Sequence, residues 1–393
     1  MIAAWMTPAL VLGSAHSTTL EVIRMLGRKG IPQFAVGTGG SFVSRSRWHR
    51  FLPGARREEP DPSSLAGLLE RVAVGPMVLI PCTDEWALAV ARLEPVLAAR
   101  FPATLAPRES VEILLDKGHF AEAAQRLGVP HPRTICLASE GDLTALPDSA
   151  LRDTFLKPRD SRAFHARYGV KAFRFETRPQ AVALVREACQ AGLQLVLQEY
   201  IPGPSTRYYF VNGLVDRAGT LHVSVTHRLR MFPPDFGDTC YGVSVRPDEV
   251  PAAMDVVKRF LGALRYRGVF DAELKYDERD GLFKVLEINP RPYGFIGVAA
   301  RCGVNLVAMA YQDALGLPVE PAGKYTAGYH YFDPYVDRSA VWPLIQEGTL
   351  TPWGVVSSWV GAYQPIFSWD DPLPGGVDFS QRVRGFFQRG VRT

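Results

Sequence analysis

The chain has 393 residues, 47% of them hydrophobic, which is enough to bury two or three cores and excludes a disordered protein. Its formal net charge of +4 is spread along the sequence with no Lys/Arg block, so nucleic acid is not the indicated partner. Five scattered cysteines without a C-x-x-C pair fit a reduced, cytoplasmic setting, and no apolar run is long enough for a membrane span.

The stretch Met1–Leu12 is apolar but short and lacks a basic flank, so it reads as neither signal peptide nor anchor. Ala9–Leu12 predicts a strand, Gly13–Ser17 a small-residue loop, residues 18–29 a helix, and Gln33–Val36 a second strand. That order points to a Rossmann-like parallel sheet, while the missing G-x-G-x-x-G argues against a dinucleotide site. Met77–Pro81 repeats the pattern and leads through Thr83 and Asp84 into a helix over 86–99. Thr83 and Asp84 are either helix N-caps or ligands at a strand end, and capping is the commoner use. The first domain ends near Pro107.

Residues 108–127 read as one helix, which contains Lys117. The sequence holds only eight lysines, so a lysine inside a pattern is conspicuous. By itself, Lys117 on a helix reads as a solvated surface charge. The strand Thr154–Pro158 carries Lys157, which on a half-buried strand needs a negative partner. Residues 160–169 predict a loop with a single Gly, residues 170–175 a strand with Lys171, and residues 179–191 a helix. A long apolar strand over 193–200 ends in Gln198–Gly203, whose apolar walls and strand-end backbone groups suit an adenine. Asn212-Gly213 predicts a hairpin turn between the strands Tyr208–Val211 and Leu221–Thr226. Arg228 and Arg230 sit at alternate positions of an extended chain and share one face. By themselves they read as a surface ion-pair strand.

After a helix over 251–264 comes the stretch around which the chain is organised. Two alternating arms, Val269–Tyr276 and Leu282–Asn289, flank a turn cluster and predict a hairpin with a three-residue loop at Arg279–Gly281. That register sets Glu273 opposite Glu287 and Asp271 opposite Asn289, and turns Ala272, Leu274, Leu286 and Ile288 to the other side. Opposed carboxylates repel unless a cation shares the site, and two carboxylates with an amide oxygen suit Mg²⁺ arriving with phosphate. Alternation alone favours a solvated acidic edge on an ordinary hairpin. Residues 295–317 predict helix, and the Trp- and Tyr-rich segment from Pro321 onward predicts packing plus a cap.

Glu273 followed by Glu287-Ile288-Asn289-Pro290-Arg291 resembles the metal-binding string of the ATP-grasp superfamily. Lys157, Gln198–Gly203, and Asp116-Lys117 with Gly128 through Pro132 resemble its nucleotide-binding parts. The resemblance implies an α/β fold: a Rossmann-like pre-ATP-grasp domain (1–107), two ATP-grasp subdomains (108–198 and 199–320) and a C-terminal extension (321–393). It implies Mg²⁺ on Glu273, Glu287 and Asn289, and ATP held by Lys117, Lys157 and the backbone of Glu199, Tyr200 and Ile201. Arg291 and Arg230 would act on the substrate carboxylate, with Arg228, Thr83 and Asp84 lining its pocket. It turns the pair Arg228 and Arg230 into a carboxylate or phosphate clamp, with Arg230 the stronger candidate beside Met231 and Phe232. Within the superfamily the chain looks most like carboxylate–amine ligases, which make an acyl phosphate from ATP and pass it to an amine. That implies two small-molecule substrates, with a homodimer as the default assembly. A non-amine acceptor, or a regulatory ATP-binding module, is the alternative. The chain departs from the family at residues 160–169, where a Gly-rich loop would cover the phosphates.

Overall fold

The computed structural model describes residues 6–55, 60–72, 75–159, 161–320 and 323–390. Its first sheet is parallel, with β1 (Ala9–Leu12) between β2 (Gln33–Val36) and β3 (Val78–Pro81). Every residue of β1 is fully buried, as a central strand covered on both faces requires. The helix Ser17–Arg28 follows, entered where extended His16 accepts a hydrogen bond from the Thr18 amide. The helix expected over 86–99 is two helices, Asp84–Ala91 and Pro95–Arg100, because Pro95 has no N–H to continue the first and is well placed to start the second. The helix expected over 108–127 also divides. Asp116 is extended, and its carboxylate accepts from the Gly118 and His119 amides at 2.9 Å, capping a new helix, Lys117–Arg126.

The second sheet is antiparallel, built from β4 (Thr134–Leu137), β5 (Thr154–Pro158) and β6 (Leu195–Glu199) with β6 in the middle. Where a loop was expected over 160–169, Ser161–Tyr168 is helical; Asp160 lies outside the described residues. Phe164 is fully buried there and meets Tyr168 and Phe173 with ring centroids 4.8 Å apart, so an aromatic cluster orders the segment. The strand expected over 170–175 reduces to one bridge, Phe173 to Leu156.

The third sheet has six strands: β7 (Tyr208–Val215), β8 (Leu221–Phe232), β9 (Asp238–Val245), β10 (Gly268–Asp277), β11 (Leu282–Asn289) and β12 (His330–Phe332), in the order β11-β10-β7-β8-β9-β12. Asn212 and Gly213 are not a turn. Both lie inside β7, and the reversal comes at Asp216–Thr220, where the Asp216 carboxylate takes the Thr220 amide at 2.8 Å. Gly213 is needed because a Cβ there would sit 2.5 Å from the His222 carbonyl across the sheet. The helix expected over 295–317 breaks into Ile296–Arg301 and Leu306–Ala314 around Gly303, whose φ of 97° favours glycine.

The C-terminal segment is woven in by β12 and by a buried ion pair. Arg24 of the first helix is fully buried, and its five N–H groups reach Asp371 Oδ2, Glu21 Oε1 and the carbonyls of Pro365, Ile366 and Asp371. Three tryptophans of the same segment stay out of the core: Trp342, Trp353 and Trp369 are mostly exposed. One apolar core joins Leu20, Ile23 and Leu26 of the first domain to Phe210 and Val269 of the large sheet. The first domain and the large sheet therefore hold a fixed relation to each other.

Candidate functional site

The hairpin β10–β11 has the expected pairing at its far end, with Asp271 opposite Asn289 and Glu273 opposite Glu287. Nearer the turn the register differs. The loop has four residues, Glu278–Gly281, so Asp277 pairs with Leu282, and a bulge after Glu273 absorbs the difference. Val285 thereby takes the core position expected for Leu286, which is left half-buried. Asp277 fixes this turn: it accepts from the Arg279 amide and guanidinium and pairs with Lys284 at 2.6 Å.

Asp271, Glu273 and Lys275 alternate along β10 and so share a face. Asp271 is the more deeply buried of these two acids. It accepts from Asn212 Nδ2 at 2.6 Å and Asn289 Nδ2 at 3.2 Å, and burial pushes its pKa up to about 7. Holding the Asn289 amide nitrogen leaves the amide oxygen directed away from Asp271. Glu273 is bridged by Arg228 at 2.9 Å, and Arg228 is itself buried over the rings of Tyr208 and Phe210. Glu287 meets Lys157 at 3.4 Å; burial opposes its charge, but Lys157, Lys117 and Lys171 together hold it ionised. Each acid of the facing pair is thus balanced by a side-chain cation. Among the described residues no cluster of three or more His, Cys, Asp and Glu is set to hold a metal. Two carboxylates and an amide oxygen instead fit an Mg²⁺ that brings phosphate oxygens as its remaining ligands.

Arg291, just past β11, turns toward the first domain and pairs with Asp84 at 2.5 Å. Burial opposes its charge, and Asp84 more than restores it. Thr83 caps the helix below through the Trp86 amide, so of this pair Thr83 caps and Asp84 holds Arg291. Gly294 lies against the β1 loop, where a Cβ would be 3.6 Å from Ser17 Oγ and 3.7 Å from His16 Cε1. Glu287, Arg291 and Asp84 keep 35%, 21% and 45% of their side-chain surface accessible although protein surrounds them, which describes the wall of an open cleft.

Other expected residues take definite places. Lys117 reaches Ser161 Oγ at 2.7 Å, bringing it to the start of the helix that replaces the expected loop. Arg230 does not share a target with Arg228. A register shift in β8 separates them, and Arg230 bonds Asp337 at 2.6 and 2.7 Å and Ser358 at 3.1 Å, anchoring the helix Pro334–Gln346. Arg228, ranked second in the sequence, is the one that reaches the acid pair. At the end of β6, Glu199 accepts from Arg279 at 2.6 Å and from the Arg133 amide at 3.0 Å. Tyr200 donates its amide to the Asp153 carbonyl at 2.7 Å, and Ile201 gives its carbonyl to Lys275 at 2.7 Å. Asn212 and Lys275 were missed. Asn212 was hidden by the turn preference of Asn-Gly, whereas Lys275 was signalled by its two-residue spacing from Glu273.

A small three-stranded antiparallel sheet, a large one edged by an acidic hairpin, and a parallel domain make up the arrangement found in ATP-grasp proteins. The comparisons agree. The family described as "ATP-grasp in the biosynthetic pathway with Ter operon" matches residues 238–331. A D-aspartate ligase of Enterococcus faecium (strain Aus0004) is 26% identical over 246 residues, covering 60% of this chain and 58% of that protein. An L-amino acid ligase of Bacillus licheniformis has the same fold at a TM-score of 0.58 and 17% identity, over 78% of this chain and 74% of that one. So does the biotin carboxylase domain dimer of Hydrogenobacter thermophilus 2-oxoglutarate carboxylase, solved with MgADP and bicarbonate, at a TM-score of 0.64 and 16% identity, over 82% of this chain and 73% of that one. In sequence over part of its length, and in fold over most of it, the chain is similar to ATP-grasp proteins.

Proposed function

We propose that the chain is an ATP-dependent carboxylate–amine ligase. The observation that carries this reading is the facing pair Glu273 and Glu287, each balanced by a side-chain cation, beside an arginine fixed by Asp84. A purely nucleotide-binding module has no need of Arg291 at the far end of the cleft. The ligase relatives support the same class.

Glu273, Glu287 and the Asn289 amide oxygen would hold Mg²⁺, which when bound neutralises phosphate charge. Lys157 and Lys117 lie where they draw negative charge from the terminal phosphates, and Arg228 keeps Glu273 oriented. Arg291 presents its guanidinium to a carboxylate. A carboxylate oxygen attacks the γ-phosphorus, the bond from that phosphorus to the β–γ bridging oxygen breaks, and ADP leaves. An amine nitrogen then attacks the acyl carbon, the carbon–oxygen bond to phosphate breaks, and the nitrogen gives up a proton as the amide forms. Positioning and charge neutralisation carry the first step, with no covalent enzyme intermediate.

Ser161 and its helix, tied to Lys117, would cover the phosphate end in place of a Gly-rich loop. The free state of the described cysteines fits the reducing cytoplasm, and no described helix is long and apolar enough to cross a membrane. A homodimer is the simplest assembly.

The test is product analysis with Mg-ATP, pooled carboxylic acids and pooled amines. ADP and phosphate formed only with the pools, and lost in Glu287→Gln, support the reading. AMP and pyrophosphate would overturn it.

A further inference from the structure

We infer that Lys275 determines the nucleobase this cleft accepts, by fixing the carbonyl of Ile201 away from the base. The inference rests on the nucleotide reading above.

Lys275 is 2% exposed. A lysine so buried must spend its N–H groups on protein acceptors. Its Nζ donates to the Ile201 carbonyl at 2.7 Å and the Gly203 carbonyl at 3.0 Å, and lies 4.6 Å from the ring centre of Tyr208 and 5.3 Å from that of Tyr200. The segment that would read the base is therefore gripped from below by the strand that carries Glu273. Two further groups of the same hairpin, Arg279 and Lys284, take the Glu199 carboxylate from the side. One rigid element addresses both the phosphate and the base ends of the cleft.

The consequence for recognition is one of donors and acceptors. Adenine offers an acceptor at N1 and a donor at its exocyclic nitrogen, while guanine offers a donor at N1 and an acceptor at O6. The Ile201 amide can donate to adenine N1. Guanine N1–H needs a carbonyl at that place, and the carbonyl of the same residue is held toward Lys275. The residue after it, Pro202, has no N–H with which to adjust. A site whose groups are fixed for one partner rejects the other by leaving polar groups unpaired.

The measurement is equilibrium binding of non-hydrolysable ATP and GTP analogues to the wild type, Lys275→Met and Lys275→Gln. The inference expects the wild type to prefer the ATP analogue, and Lys275→Met to lose that preference by roughly tenfold or more. Lys275→Gln, which keeps an N–H donor, should be intermediate. Folded variants with the wild-type ATP-to-GTP ratio would overturn the inference and leave the ligase reading intact. A wild type that binds neither analogue would sink the nucleotide reading itself. Hydrogen exchange on the wild type supplies a check that needs no variant. Slow exchange at the Glu199 and Tyr200 amides before nucleotide is added supports a preset segment, and protection gained only with nucleotide contradicts it.

Discussion

Arg291 and Asp84 meet across the boundary between the acidic hairpin and the parallel domain, Nε to Oδ1 at 2.5 Å, although they are 207 positions apart in sequence. The pair fixes a guanidinium between the acidic hairpin and the parallel domain. In the proposed ligase, this pair would serve the carboxylate and not the nucleotide. Asp84→Asn keeps the helix start but frees Arg291, so KM for the carboxylate should rise about tenfold or more while ATP affinity stays within about twofold. Steady-state kinetics in each substrate, beside nucleotide titration, checks this. Equal losses in both would mean that Asp84 acts on the whole fold.

Arg228 and Arg230 should separate just as cleanly. Arg228→Met removes the cation on Glu273 and should lower turnover by about a hundredfold, in the range seen when one charge-stabilising group is removed. Arg230→Met strands the fully buried Asp337 and should cost about 3–5 kcal/mol of stability. Urea unfolding and turnover, measured on both variants, distinguish a site arginine from an anchoring one.

The staple at Arg24 makes a stability prediction far from the cleft. Removing its side chain leaves Asp371 and Glu21 buried without their partner, so Arg24→Met should lose about 3–5 kcal/mol. A denaturation midpoint unchanged from wild type would show that the C-terminal segment is held by its other contacts.

Glu21 gives the fold a pH dependence of definite sign. It is buried against Gly297 and takes the hydroxyl of Tyr363, and burial raises its pKa from 4.5 to about 7 in spite of Arg24. The folded state therefore binds this proton more tightly than the unfolded state, and stability falls as pH rises from about 4.5 to about 7. The share of Glu21 is of order 3 kcal/mol at about 1.4 kcal/mol per unit. Glu21→Gln should flatten that slope, leaving the share of Asp271, which is raised for the same reason. Below pH 4 the trend reverses. Asp277 and Asp370, held well below the carboxylate range by Arg279 and Arg28, lose their pairing as they are protonated.

Much of this was legible in the sequence, because period-two alternation reports a half-buried hairpin directly. Asp271, Glu273, Glu287 and Asn289 pair as alternation required. Local signals failed where they competed. Asn212-Gly213 has the turn preference, yet the apolar run continues to Val215 and the strand wins, placing Asn212 against Asp271. Asp116 sits in a helical pattern, but its capping carboxylate is worth more at a break. The turn length could not be read because Glu278 fits either a strand end or a loop, and the resulting slip was hidden by a bulge. The apolar neighbours of Arg230 report its burial and not which acid lies opposite, which is Asp337. Long-range pairs such as Arg291 with Asp84 leave no local trace at all.

The most direct test of the central claim follows oxygen. With the carboxylate substrate labelled with ¹⁸O at both oxygens, activation at the γ-phosphate requires that one labelled oxygen leave with phosphate when the amine attacks. The ³¹P spectrum should then show inorganic phosphate shifted by a single ¹⁸O, one per amide formed. Unlabelled phosphate beside full amide yield, or label found in AMP, would contradict the account.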